Sequence, residues 1–424
     1  MLVNFDVQWV IDQFPALKRQ VNGHPAIYFD GPGGTQVPVR VVEKINDYLY
    51  HHNANTHGKF ITSVESDALV QQAREIYADF FNCRWQEVSF GFNSSSNNFR
   101  LALSIARSIR PGDEVLITDL DHEGNRSPWR LLEEYGAIVK SVKVDKRNCT
   151  LDMEDYQAKL SKMTKVVAVN WASNAVGAIN DVKKIIAMAH DVGALTVVDA
   201  VHYAAHKPID VQDIDTDFLI CSAYKFFGPH LGVVYAKTSV MDRLNTIRVL
   251  ALDNTLAPEK FEIGTPSFEA ICGAAEAVEF IADLGAKYTD SFEEQLKGLA
   301  GRRKNIVAGM LAIDAYEETL AARLRAGLGE IEGVTLFGPQ PGHPRTSTVS
   351  FAIKDRKVAD CAAYLAGQGI FVWAGSFYAI KMVFEVLDQQ KNGGLVRIGF
   401  APYNTLAEVE RTIQAVKAFM AGHS

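Results

Sequence analysis

The sequence predicts an α/β fold: a mostly parallel sheet with helices on both faces, joined to a smaller α+β part. Three observations predict it. Apolar strands alternate with helix-length segments from residue 87 to residue 221, the pattern of a sheet built from parallel crossovers. His122, Asn174, Asp199 and Lys225 all fall at or just past the C-termini of those strands, the edge at which such sheets bind ligands. After about residue 285 the alternation gives way to a long helical stretch and then to strands and helices in mixed order.

Length and composition set the bounds. A chain of 424 residues with 48% hydrophobic and 22% charged residues buries a large core, and two domains are expected. We expect residues 30–285 to form the large one, and residues 1–29 with 286–424 the small one. Lys and Arg number 43 against 50 Asp and Glu, a net charge of −7; this gives no global basic field for nucleic acid or an anionic membrane. The five cysteines, Cys83, Cys149, Cys221, Cys272 and Cys361, are scattered and form no CxxC pair. Such usage points to a reduced, cytoplasmic protein without a structural metal site. No signal-like segment opens the chain, and no apolar run approaches membrane-spanning length.

Taken in order, the chain begins with an expected helix over 7–18, a strand over 26–29 and the run Asp30-Gly31-Pro32-Gly33-Gly34-Thr35. That run is not a Walker loop, because no Lys-Ser/Thr follows at the required spacing; it is either a close backbone approach or an ordinary turn. Helices are expected over 37–51 and 66–81, with a polar loop at 53–59 between them. A strand at 87–92 runs into Asn93-Ser94-Ser95-Ser96-Asn97-Asn98, and apolar residues at helical spacing follow from Phe99 to Ile109. One Ser or Asn suffices to cap a helix; six in a row also suit an anion site at the helix N-terminus. Further strands are expected at 115–117, 137–144, 165–171, 195–199, 218–221 and 232–236, with helices at 127–135, 153–160 and 182–192 between them. A helix at 268–284 leads into the second part, which holds strands at 334–337, 348–353, 371–373 and 395–399 and helices at 358–368 and 406–420. No G-x-G-x-x-G follows the first strand, which argues against a dinucleotide fold.

Lys225 stands between the strand at 218–221 and a Gly-Pro turn. Desolvation there would lower its pKa and make the amine nucleophilic; alone, the window is equally a surface lysine in a turn. Likewise Asp199 alone could be a helix cap, His122 a loop histidine and Arg397 a surface arginine. Their common order and placement is what carries the functional reading.

These residues resemble the class V aminotransferases of the fold-type-I pyridoxal-phosphate (PLP) enzymes, and among them the cysteine-desulfurase and selenocysteine-lyase branch. The resemblance runs from about residue 28 to residue 404. It implies the PLP-dependent transferase fold type I, with a seven-stranded sheet. Ser222-Ala223-Tyr224-Lys225 is similar to the family's Ser-Gly-His-Lys, which implies that Lys225 is the Schiff-base lysine and that Ser222 and Tyr224 add hydroxyls to the phosphate site. Asp199, in Asp-Ala-Val-His, matches the Asp that pairs with the pyridine nitrogen. His202 replaces the Gln near the phenolate oxygen, and His122 matches the histidine stacked on the ring. Ser94 and Ser95 fall where the family holds the phosphate. Asn174 matches the Asn near the phenolate oxygen and substrate carboxylate, and Arg397 the arginine that grips that carboxylate. Thr265, in Gly-Thr-Pro, implies a homodimer in which it reaches the neighbouring subunit's phosphate site.

One stretch departs from the pattern. Desulfurases carry a cysteine in a loop of the form Arg-Thr-Gly-His-His-Cys, which takes the sulfur as a persulfide. The matching stretch here is Trp373-Ala374-Gly375-Ser376-Phe377-Tyr378, with Tyr378 at or near the cysteine's place. Cys361 and Cys221 read as buried residues of a helix and a strand. The resemblance therefore implies a PLP enzyme acting on an L-amino acid, with cleavage of a Cβ–S or Cβ–Se bond as the leading reaction and no loop persulfide. A class V aminotransferase or an amino-acid epimerase is the alternative within PLP chemistry. A non-enzymatic binding module is the alternative outside it, opposed by the intact Lys225, Asp199 and Arg397. Substrate selectivity is expected in the loops at 31–35, 53–59 and 373–378.

Overall fold

The computed structural model describes residues 4–249 and 258–422. Its central sheet has seven strands in the spatial order Val88–Gly91, Gly232–Ala236, Phe218–Ser222, Leu195–Asp199, Thr164–Asn170, Glu114–Thr118 and Ile138–Val142. Phe218–Ser222 through Ile138–Val142 pair in parallel, and Gly232–Ala236 runs antiparallel to both of its neighbours.

Both faces of this sheet are covered, which is why its strands read as continuous apolar runs. Successive residues go to opposite sides. Val115, Ile117, Val166, Ala168, Val197, Phe218 and Ile220 join one core with Leu101 and Ile105 of the helix Ser94–Ala106. Leu116, Val167, Val169, Val198, Leu219 and Cys221 join the other, with residues of Ile61–Phe81, Val182–Asp191 and Phe268–Ala286. None of the helices among the described residues is long and apolar enough to cross a membrane.

A second sheet is antiparallel, in the order Val334–Phe337, Val349–Ile353, Leu395–Ile398, Trp373–Gly375. The beginning of the chain is tied to it from a distance. Ile27–Tyr28 pairs in parallel with Ile370–Phe371, and Asp30 bridges to Gly399. These contacts draw the Gly-rich run at 31–34 against the strand that carries Arg397. The approach is close: a Cβ on Gly399 would lie 2.0 Å from Pro32, and one on Gly31 2.8 Å from the carbonyl of Phe400.

Several boundaries differ from the sequence expectation for local reasons. The helix expected over 7–18 is two pieces, Val7–Asp12 and a 3₁₀ turn Pro15–Lys18, because Pro15 donates no backbone hydrogen bond and holds Phe14 extended. The helix at Phe99 begins five residues earlier, at Ser94, with Asn93 as its N-cap. Most of the Ser/Asn run is thus the first turn of the helix, not a loop. The long helix before Phe81 begins at Ile61. The strand expected at 371–373 is divided between two sheets, Ile370–Phe371 and Trp373–Gly375.

The helices Phe268–Ala286 and Gly301–Gly329 pack backbone to backbone where Gly285 meets Gly309. A Cβ on Gly285 would lie 1.8 Å from the Asn305 carbonyl oxygen, and one on Gly309 2.3 Å from that of Ile281. Only glycine fits at this crossing. Gly285→Ala should therefore cost about 2–3 kcal/mol through overpacking, read as a lower urea midpoint with an unchanged slope; an unaltered midpoint would show that the crossing is loose.

Candidate active site

The candidate site lies along the C-terminal edge of the parallel strands. Leu195–Asp199 ends on Asp199, which is 6% exposed and accepts the Val201 N–H at 2.9 Å. Burial pushes this carboxyl up to about 6, against the opposing pull of the Val201 amide and Lys225. Phe218–Ser222 passes straight into the 3₁₀ turn Ala223–Lys225. Lys225 Nζ donates to the carbonyls of Pro32 and Gly33, the latter at 3.2 Å, and lies 4.7 Å from the centre of the Tyr224 ring. Desolvation, helped by the positive charge of Arg397, brings the lysine down to about 7, although Asp199 and Asp30 pull the other way.

The helix N-terminus at Ser94 faces the same region. The Ser94 N–H donates to Ser222 Oγ at 3.2 Å, and the Ser96 N–H to Asn93 Oδ1 at 2.9 Å. The last two asparagines of the run have structural work. Asn97 packs where a Cβ on Gly91 or Gly232 would strike it, and Asn98 Nδ2 donates to the Gly124 carbonyl at 3.1 Å. Ser94 and Ser95 are left half-buried at the helix end.

His122 follows the Glu114–Thr118 strand. Its Nδ1 accepts the Gly124 N–H at 2.9 Å, so the proton of the neutral ring is on Nε2. Burial, then the charges of Lys225 and Arg397, hold it down at about 4, so the ring is neutral at physiological pH. The turn is fixed by Asp121, fully buried, which accepts from Thr118 Oγ1 at 2.6 Å and Asn125 Nδ2 at 3.0 Å; burial pushes its carboxyl up to about 7.

Across the cleft, Arg397 is 4% exposed on the strand Leu395–Ile398. Its guanidinium donates to the Asn174 carbonyl at 3.0 Å and sits 4.3 Å from the centre of the Phe377 ring, while Nε is buried without a partner. Burial pulls it down to about 9, which leaves it cationic near neutral pH. Asn174 Nδ2 donates to the Phe377 carbonyl at 2.9 Å, and its Oδ1 is a buried orphan. Asp30 Oδ1 is another, and desolvation raises that carboxyl despite Arg397 and Lys225 nearby.

The loop after Trp373–Gly375 turns through two consecutive left-handed residues, Phe377 and Tyr378, both at φ 57°. Tyr378 is 70% exposed; its ring lies 5.5 Å from that of His122 and its carbonyl accepts the Glu123 N–H at 2.7 Å. Tyr224 stacks on His230 at 4.8 Å. His202 is buried behind the cleft, its Nε2 against the hydroxyls of Thr346 and Thr348. Of the residues singled out from the sequence, Thr265 alone stands apart: it is exposed and shares no hydrogen bond with the cluster among the described residues.

Sequence reasoning missed Asp30, Asp121, Phe377, Thr346 and Thr348. Asp30 had a signal, since it opens the Gly-rich run; the glycines drew the reading and the carboxylate did not. The threonines had none, being hydroxyls on a strand entry more than a hundred residues from the histidine they touch.

A mostly parallel seven-stranded sheet with a half-buried, desolvated lysine and a buried carboxylate at its C-terminal edge is the arrangement of a PLP-dependent enzyme of the class V aminotransferase type. Residues 27–303 and 304–412 match the model of the family Aminotransferase class-V, and the chain belongs to it. A probable cysteine desulfurase of Synechocystis sp. is 30% identical over 96% of this chain and 94% of that protein. Another, of Halalkalibacterium halodurans, is 31% identical over 94% of each. Among solved structures, the apo cysteine desulfurase of Thermococcus onnurineus matches with a TM-score of 0.82 and 28% identity, over 96% of this chain and 98% of that one.

Asp199 allows a test of the electrostatics in the apo protein. Its folded pKa, about 6, lies above the ordinary value of 3.8 that it has in the unfolded chain. A raised carboxyl costs stability wherever it is ionised, fully above pH 6 and not at all well below pH 4. Apo Asp199→Asn should therefore be the more stable protein at pH 8, by up to about 3 kcal/mol, and should lose that advantage as the pH falls to 4. Urea midpoints at both pH values decide it; a variant destabilised at pH 8 would contradict the assignment.

Proposed function

We propose that this PLP-dependent enzyme cleaves the Cβ–S or Cβ–Se bond of a cysteine-type L-amino acid by elimination, without passing the sulfur through a loop cysteine. The observation that carries the reading is the loop at 373–378. It presents Tyr378 beside His122, and its chemistry is aromatic and hydroxylic. The five thiols sit elsewhere, and burial pushes each of them up: Cys149 and Cys272 to about 11, Cys361 to about 12, and Cys83 and Cys221 well above the usual range. A nucleophilic thiol has the opposite environment.

The residues present fit PLP. Lys225 would carry the cofactor, Asp199 would pair with its ring nitrogen, and Ser94, Ser95, Ser222 and Tyr224 would hold its phosphate at the helix N-terminus. His122, His202 and Asn174 would line its ring. The buried orphans Asn174 Oδ1 and Arg397 Nε support this fit, since polar atoms at such depth ordinarily have partners. Once bound, PLP supplies an electron sink for negative charge developing at Cα.

The chain's own groups supply the rest. Arg397 binds the substrate carboxylate through its guanidinium, which Phe377 and the Asn174 carbonyl hold in one orientation. Lys225, with a pKa near 7, exists partly as the free amine at physiological pH and takes the Cα proton. Neutral His122 keeps its Nε2 proton for a hydrogen bond inside the cleft. Loss of the sulfur from Cβ followed by hydrolysis converts cysteine and water to pyruvate, ammonia and hydrogen sulfide. We further propose a cytoplasmic homodimer in which Thr265 reaches the partner's phosphate site.

Purified protein loaded with PLP and offered a panel of amino acids tests the reaction. Cysteine or selenocysteine should yield sulfide or selenide with pyruvate, and the protein should acquire no persulfide. Alanine together with a protein persulfide would overturn the elimination reading. An oxo acid formed from another amino acid, without sulfide, would move the assignment to transamination. Arg397→Ala should raise KM at least tenfold, the loss expected for one charge-assisted contact; an unchanged KM would remove its carboxylate role.

A further inference from the structure

His202 is 4% exposed, and its Nε2 lies 3.1 Å from Thr346 Oγ1 and 2.9 Å from Thr348 Oγ1. The two hydroxyl oxygens are 3.3 Å apart. The three atoms form a closed triangle, and among the described residues it holds every hydrogen bond that these two hydroxyls make. Thr346 is fully buried and Thr348 is 4% exposed, so neither hydroxyl has ready recourse to bulk water.

Counting hydrogens in the triangle fixes the imidazole. Each edge can hold at most one hydrogen. If Nε2 carried a proton, neither edge meeting it could accept a hydroxyl hydrogen, and only the Thr–Thr edge would remain for two of them. One buried hydroxyl would then lack an acceptor, a costly arrangement. If Nε2 is bare, Thr346 donates to Thr348, Thr348 donates to Nε2 along the shorter edge, and both hydroxyls are satisfied. The same count excludes the doubly protonated ring. Independently, burial and the nearby His206, Arg397 and Lys225 hold the ring well below its usual range, which keeps it neutral. The neutral ring's one hydrogen is then on Nδ1.

The surroundings hold the ring in this orientation. His206 meets His202 edge to face at 4.8 Å, and His206 Nδ1 lies 2.7 Å from Glu317 Oε2. Ser347, between the two threonines, donates to that same carboxylate at 2.8 Å. Three consecutive hydroxyl residues therefore serve both histidines, with Thr346 and Thr348 on one and Ser347 on the carboxylate that fixes the other.

We infer that Thr346 and Thr348 are positioning residues that lock His202 as the Nδ1–H tautomer, so that it presents a hydrogen-bond donor to the cofactor. The consequence rests on the PLP reading above: a phenolate oxygen requires a donor, and a glutamine at this place would offer its amide. A histidine could present either a hydrogen or a lone pair, and the threonines remove that ambiguity.

The tautomer is tested in the apo protein, without the cofactor. With ¹⁵N-histidine labelling, the His202 signals are assigned by their disappearance in His202→Gln. In the wild type they should show a bare Nε2 and a protonated Nδ1; a protonated Nε2 overturns the inference. Replacing both threonines, Thr346→Val with Thr348→Val, should abolish the bare-Nε2 signature or mix it with the other tautomer. An unchanged spectrum would overturn their role. If the double variant does not fold, Thr348→Ala against Thr348→Ser gives the same comparison, with serine retaining the wild-type spectrum. In the loaded enzyme the valine substitutions should shift the visible absorption band in the wild-type background and leave it unshifted in His202→Gln; equal shifts in both would refute the coupling. A loaded wild type with no visible band would sink the PLP reading and leave the tautomer assignment standing.

Discussion

Two cations and a carboxylate share one poorly hydrated cleft. Lys225, Arg397 and Asp199 are each displaced toward the neutral form by desolvation, to about 7, 9 and 6. Bringing them together without water is costly, because ions in a medium of low dielectric lose solvation that their partners return only in part. The cost falls unevenly. Arg397 stays charged near neutral pH, Lys225 is poised between its two states, and Asp199 is close to its own midpoint. A cleft that sets a base near working pH beside a fixed cation is organised for proton transfer on a bound anion. The orphaned atoms of Asp30, Asn174 and Arg397 express the same constraint: part of the polar lining is left unpaired by the protein itself.

The fold makes that concentration of charge possible. Parallel strands end together, so Asp199 and the turn carrying Lys225 arrive at one edge although 26 positions separate them in the numbering. The opposite wall comes from far along the chain, on the Leu395–Ile398 strand. It is brought close by the pairing of Ile27–Tyr28 with Ile370–Phe371 and by the contact of Gly31 and Gly399 with their neighbours. The Gly-rich run is thus a joint between the first strand and the last, and its carbonyls at Pro32 and Gly33 hold the lysine. Side chains at Gly31 and Gly399 would separate the two walls.

The legible parts of the sequence were those in which local pattern and final environment agree. Strands such as Phe218–Ser222 and Gly232–Ala236 are apolar throughout because both faces are covered, and their boundaries follow from the pattern to within a residue. The Ser/Asn run was legible as a helix end and misread in extent. Ser and Asn favour caps and turns over helix interiors, yet here the segment is helical from Ser94 because the strand, the Asn93 cap and packing of Asn97 against Gly91 and Gly232 fix it from outside. Pairings between distant segments had no local trace. Nothing near residue 202 announces that its imidazole meets hydroxyls at 346 and 348, and the Gly-rich run that Asp30 opens does not announce that one of its carboxylate oxygens is buried without a partner.

The threonine triangle and the tyrosine loop share one logic. The sequence has His202 where the resemblance implies a glutamine, and under the function proposed above Tyr378 stands at the place of the loop cysteine. At 202 the exchange is compensated. Two hydroxyls, a second imidazole and Glu317 surround the new ring, and their hydrogen-bond count leaves it one state. At 378 the side chain is exposed, and the backbone turns through two left-handed residues whose carbonyls are held by Asn174 and Glu123. Left-handed backbone at bulky residues is strained and persists only where surrounding contacts enforce it. Here those contacts come from Asn174, itself bonded to Arg397 through its carbonyl, so the loop's shape and the orientation of the guanidinium are set by the same residue. Replacing Tyr378 by cysteine would place a thiol on a loop whose conformation is tied to Arg397, beside a neutral His122 that offers no positive charge to lower its pKa. The chemistry of the loop is therefore a property of its whole setting, and under the elimination proposed above Tyr378→Cys alone would not introduce persulfide transfer.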